Sequence, residues 1–143
     1  MRLFARPPRA ERRLASQMVS AGWLLMAIAF IHAAFGLWMG RRPLLAIARE
    51  GFTNAVDPHL DRNVVFWFLL ASPLLWMVGR LALWLADEGQ RPPAWLGRDL
   101  LALAVLGIVL MPASGFWLIL APAALLILAA RESARRTAGQ KWD

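Results

Sequence analysis

The chain has 143 residues, 59% of them hydrophobic and only 17% charged, with a mean hydropathy of +0.51 and a net charge of +7. Soluble domains carry about 45–50% apolar and about 25% charged residues, so this is the composition of an integral membrane protein. The absence of cysteine excludes disulfides, thiolate zinc sites, iron–sulfur clusters and dithiol redox chemistry. The basic residues flank apolar runs and form no folded patch, which excludes nucleic-acid binding.

Arg2, Arg6, Arg9, Arg12 and Arg13 precede the first apolar run, Met18 to Met39. At about 1.5 Å per residue this run can cross a hydrocarbon core of about 30 Å. A basic start and the small residues Ala33 and Ala34 raise the alternative of a cleaved signal peptide. The run continues past that point to Met39, longer than the usual signal core, so a retained span is expected. Its outer half, "AFIHAAFGLWMG", holds His32 roughly 12 Å below the outer end. Ala29, Ala33, Gly36 and Gly40 repeat at four and three residues and make a small-residue packing face. His32 and Gly36 are four apart and adjacent on the helix, so the histidine is expected to face protein and not lipid.

The connection "RRPLLAIAREGFTNAVDPHLDRN" places Leu44, Leu45, Ile47, Ala48, Phe52 and Val56 on one helical face. A short amphipathic helix in the outer interface is expected, followed by a turn at Asp57-Pro58. Asp61 or Asn63 is the expected N-cap of the next helix. His59 lies among Asp57 and Asp61, but two histidines and two carboxylates without a known ligand spacing make no metal site. A bis-histidine haem would need a second histidine within the membrane opposite His32, so no cofactor is expected.

The second span is read as Asn63 to Ala86. Arg80 interrupts it near the inner end, where a guanidinium can reach the headgroups or pair with Asp87 or Glu88. The last apolar stretch is too long for one span and contains "MPASGFW". Proline and glycine there signal a turn, giving spans over 94–111 and 115–130 joined by a tight hairpin. A single kinked helix is the rival. Trp95 and Trp117 suit interfacial anchors, and Pro122 falls inside the fourth span. Ser72 and Ser114 can bond backbone carbonyls, and no base beside them marks a nucleophile.

Four spans put both termini on one side. Twelve Lys and Arg residues fall on that side and four, Arg41, Arg42, Arg49 and Arg62, on the other. The positive-inside rule then places the tails, 1–17 and 131–143, in the cytoplasm. The sequence thus predicts a single all-α membrane domain over 1–143, a four-transmembrane-helix bundle with one interfacial helix. The tail after residue 130 is expected to continue the fourth helix for about a turn and then fray.

The spans contain no Asp or Glu in their apolar parts. This counts against proton-coupled four-span antiporters and against isomerase-like enzymes built on several buried ionisable groups. No phosphate-binding glycine loop and no H-E-x-x-H motif occurs.

Several short motifs occur together: "GWLLMAIAFIHAAFGLW" in the first span, "EGF" in the connection, "FWFLL" opening the second, and "PASGFW" at the last hairpin. Together they resemble a family of short bacterial four-span proteins catalogued as a domain of unknown function, over Ala21 to Ala130. The resemblance implies four spans and singles out His32, Gly51, Phe66, Trp67, Phe68, Pro112, Ser114, Gly115, Phe116 and Trp117. It implies no catalytic role.

On the expected topology these residues gather at the outer side. A pocket lined by His32, His59, Phe66, Trp67, Phe68, Ser114, Phe116 and Trp117 is one reading, and an aromatic belt with tight packing is the other. The leading functional expectation is a non-enzymatic protein of the bacterial inner membrane that binds a lipid or small apolar ligand, or serves as an accessory subunit. Its partners would be the bilayer and, through the small-residue face, a second copy or another membrane protein. A membrane enzyme using His32 as acid or base is the alternative, and a small transporter the third.

Overall fold

The computed structural model describes residues 9–139, with side chains placed over 12–132. Arg2, Arg6 and Lys141, which enter the charge count, lie outside the described residues. Five α-helices follow one another: α1 (Arg9–Met39), α2 (Arg41–Glu50), α3 (Leu60–Asp87), α4 (Ala94–Leu110) and α5 (Leu120–Gly139). A 3-10 turn, Gly115–Ile119, leads into α5, and the described residues contain no strand. Residues 12–39, 60–87 and 115–132 are long and apolar enough to cross a membrane. The expected third span, α4, has 17 residues and falls short of the other three.

The boundary between α1 and α2 follows from Pro43. Proline has no N–H, and its ring excludes the carbonyl four residues earlier, which is that of Met39, where α1 ends. Gly40 still bonds back to the Gly36 carbonyl at 2.8 Å, and Leu44 to that of Gly40 at 3.0 Å. The amphipathic helix is shorter than expected. Gly51, at φ 92°, adopts the left-handed conformation that suits glycine at a helix end. Phe52 and Val56 therefore lie beyond α2 and not on its face. The N-cap of α3 is His59, without a side-chain capping bond, and neither Asp61 nor Asn63 takes that role. Asn63 bonds instead to the Asp57 carboxylate at 2.8 Å.

The last apolar stretch is two helices and not one kinked rod, because Met111 to Ser114 leave the helix. Pro122 is the third residue of α5, in the first turn, where a missing N–H breaks no helical bond. The C-terminal helix outlasts expectation and runs to Gly139.

Packing follows the order α3, α1, α5, α4. Helix α1 holds α3 on one flank and α5 on the other, and α4 rests on α5 and the 3-10 turn. Among the described residues α3 and α4 bring no Cα pair within 8 Å, although only Glu88 to Pro93 separate them in the chain. The bundle is therefore open between its second and third long helices. Its core joins Ala21 and Leu25 of α1, Ala82 of α3, Leu96, Leu100 and Ala104 of α4, and Ile119, Ala123 and Leu126. Large apolar side chains stand exposed outside this core, among them Trp23, Phe30 and Trp38 on α1, Trp67, Met77 and Trp84 on α3, and Val109 and Leu110 on α4. An apolar exterior around an apolar core is what a hydrocarbon solvent demands.

Candidate functional site

The α1–α3 contact is built from small residues. Gly22, Ala29 and Gly36 recur every seven residues, which keeps one seam of α1 toward its neighbour. A Cβ on Gly36 would stand 2.6 Å from Leu69 Cδ2 and 2.9 Å from Phe68 Cδ1. A Cβ on Gly40 would collide with Val65. On the small-residue face, Gly36 and Gly40 are thus covered by α3 of the same chain, Ala29 is buried and Ala33 half-buried.

This close approach brings His32 onto α3. Its Nε2 lies 3.0 Å from the Phe68 carbonyl oxygen. A carbonyl only accepts, so Nε2 carries a proton and donates, and Nδ1 is the nitrogen turned away from the bond. The imidazole also stacks on the Phe68 ring, centroids 4.0 Å apart and planes 15° from parallel. Phe35 leans on the same ring at 6.1 Å. The bond reaches α3 beside a weak point of its ladder: Pro73 has no N–H to offer the Leu69 carbonyl. One turn further along, the Ser72 hydroxyl is buried without a partner among the described residues.

The other expected residues divide into separate groups. Phe66 and Trp67 are both exposed and meet each other edge to face at 5.5 Å. The last hairpin fastens itself: Ser114 Oγ donates to the Met111 carbonyl at 2.6 Å and accepts from the Phe116 N–H at 3.5 Å. Trp117 Nε1 donates to the Pro112 carbonyl at 2.9 Å. The Phe116 ring covers Gly107 of α4 so closely that a Cβ there would overlap it. His59 is exposed in the loop before α3. Of the eight candidate pocket residues, direct contact therefore joins His32 to Phe68, Phe66 to Trp67 and Ser114 to Phe116. The hairpin residues serve their own turn.

One pair at this end escaped the sequence reading. Arg62, only 6% exposed, grips Glu50 through both guanidinium nitrogens, Nη1 to Oε2 and Nη2 to Oε1, each at 2.5 Å. Nη1 also donates to the Ala55 carbonyl at 2.7 Å. The Arg62 hydrogen bond holds the Glu50 carboxyl below its ordinary value, with the charges of Arg62 and His59 adding to it. Arg62 so ties down both ends of the segment in which Phe52 and Asn54 take left-handed φ of 65° and 53°. Such backbone angles persist in non-glycine residues where surrounding contacts impose them. An acid and an arginine flanking a Gly…Pro loop is the signal the sequence offers for this pair, beyond the topology charge that Arg62 also supplies. Among the described residues no group of three His, Cys, Asp or Glu could hold a metal ion.

The model of a family described as of unknown function, DUF6463, matches residues 16–133. No curated protein and no solved structure matches the chain.

Proposed function

The chain belongs to the DUF6463 family, whose function is unknown, and from its own geometry we propose a membrane protein that acts by binding and not by catalysis. It would serve as a lipid- or small apolar ligand-binding module, or as an accessory subunit of a larger membrane assembly. The observation that carries this reading is the commitment of His32. Its proton is given to a main-chain carbonyl and one ring face is covered by Phe68, the environment of a residue that joins two helices. A general acid needs its proton within reach of a substrate, and the Nε2 proton is spent on the Phe68 carbonyl.

In this reading α4 is also a span, the third of four. Its 17 residues measure roughly 25 Å, at the short end of the spanning range. Leu103, Val105, Leu106, Val109 and Leu110 give it an apolar exterior. Both termini then lie in the cytoplasm of a bacterial cell, by the charge asymmetry of the flanks. Reporter fusions at Gly139 and within Pro112–Ser114 test the topology. A C-terminal reporter active only outside the cytoplasm would rule out four spans with cytoplasmic termini. His32→Phe, purified in mild detergent and examined by native mass spectrometry, tests the binding reading. Retained lipid or protein partners should survive in the wild type. An enzymatic turnover abolished in a folded His32→Phe would establish catalysis instead.

A further inference from the structure

Helix α2 lies on the side where positive charge is scarce, yet it concentrates positive charge there. Arg41, Leu45 and Arg49 are spaced at four residues and share one face of α2, with Arg42 beside them. All four are exposed, while Ile47 on the opposite face is buried. None of the three arginines has an acidic partner among the described residues. The acids of this end are engaged elsewhere: Glu50 is held by Arg62, Asp57 by Asn63, and Asp61 lies in the electrostatic reach of Arg62. Exposed Leu45 lies between the arginines, and Phe52, 72% exposed, follows at the end of the helix.

We propose that this face of α2 binds the phosphate groups of anionic phospholipids in the outer leaflet. Three guanidinium groups without counter-charges form a phosphate-binding strip. Leu45 on that face and Phe52, in the turn just beyond the helix, add apolar contacts that reach the acyl boundary. A free inorganic anion would use the arginines and leave those two side chains in water, so the arrangement favours a lipid over a dissolved phosphate. The lobe is presented rigidly because Arg62 fastens both Glu50 and Ala55. The inference rests on the membrane reading above and names the partner of one face of it.

The test uses the full-length protein in mixed micelles of phosphatidylglycerol and phosphatidylcholine, with retained lipids counted by native mass spectrometry. The wild type should retain phosphatidylglycerol preferentially. Each of Arg41→Gln, Arg42→Gln and Arg49→Gln should reduce that preference about fivefold, and Arg80→Gln, on α3 away from α2, should leave it intact. The single substitutions lie on an exposed face, and circular dichroism checks that each keeps its helix content. Equal retention of both lipids by the wild type, or an unchanged preference in all three variants, overturns the proposal. So does inorganic phosphate raising thermal stability as much as phosphatidylglycerol does. A protein that stays dispersed without detergent and retains neither lipid would instead overturn the membrane reading beneath it.

Discussion

Gly22 and Gly79 face each other across the α1–α3 seam, and a Cβ on either would stand 2.8 Å from the other's carbonyl oxygen. The obstacle in both directions is backbone, which cannot rotate aside as a side chain can. Gly22→Ala or Gly79→Ala should therefore force the helices apart and cost about 2 kcal/mol. Reversible unfolding in mixed micelles would measure it. The double variant should cost less than the sum of the two, since one displacement relieves both clashes. Strict additivity would argue that the helices do not meet at these residues.

The His32 contact contains two separable contributions. His32→Phe keeps a ring against Phe68 and loses the bond to its carbonyl, for an expected cost of about 1 kcal/mol. His32→Ala loses the ring contact as well and should cost about 1 kcal/mol more. The difference between the two variants, by the same unfolding assay, isolates the stacking. If His32→Ala is as stable as the wild type, the imidazole is not a structural link.

Glu50 supplies a pH dependence to the connection between α2 and α3. Its carboxyl is held below the ordinary value of 4.5 by Arg62, so the folded state favours the ionised form. Stability from this pair is present above that value and is lost as pH falls through the lowered folded value. The thermal midpoint should fall on acidification below about pH 4.5, and Glu50→Gln should remove that part of the dependence. Arg62→Met should open the 51–59 segment to proteases at neutral pH. Equal cleavage of variant and wild type would count against the clamp.

At the last hairpin the Phe116 ring occupies the place where any side chain on residue 107 would go. Gly107→Ala should destabilise by about 2 kcal/mol. Pairing it with Phe116→Leu, which removes ring atoms from that space, should return part of the loss. A double variant that shows no recovery would mean that Gly107 is limited by something other than Phe116.

The inward orientation of His32 was legible, because Gly36 one turn away marks a packing face whatever lies opposite. That its partner is the Phe68 carbonyl was not, since pairing between distant helices leaves no local trace. The Gly22 contribution is visible in principle, since Gly22, Ala29 and Gly36 repeat at seven residues, a period that the four-residue small-residue pairs do not contain. Grouping Phe66, Trp67 and Phe68 in one pocket ignored a rotation of about 100° per residue. Three consecutive side chains cannot share a face, and only Phe68 turns toward α1. The amphipathic face was extended through Gly51 to Phe52 and Val56 because periodicity alone does not register a residue that ends a helix. The 17 residues of α4 were anticipated almost to the residue, but judging whether that length suffices depends on the thickness of the surrounding bilayer.

The order α3, α1, α5, α4 means that the two helical hairpins of the chain are joined covalently at one place and packed together at another. Helices α3 and α4 follow each other in sequence without close backbone approach among the described residues, while the interface between the halves runs through α1 and α5. During synthesis α1 and α3 can therefore complete their seam before α4 exists, and the second hairpin then docks as a formed unit. The peptide link from Glu88 to Pro93 carries the chain from one hairpin to the other. Two fragments divided within it should assemble into the same molecule.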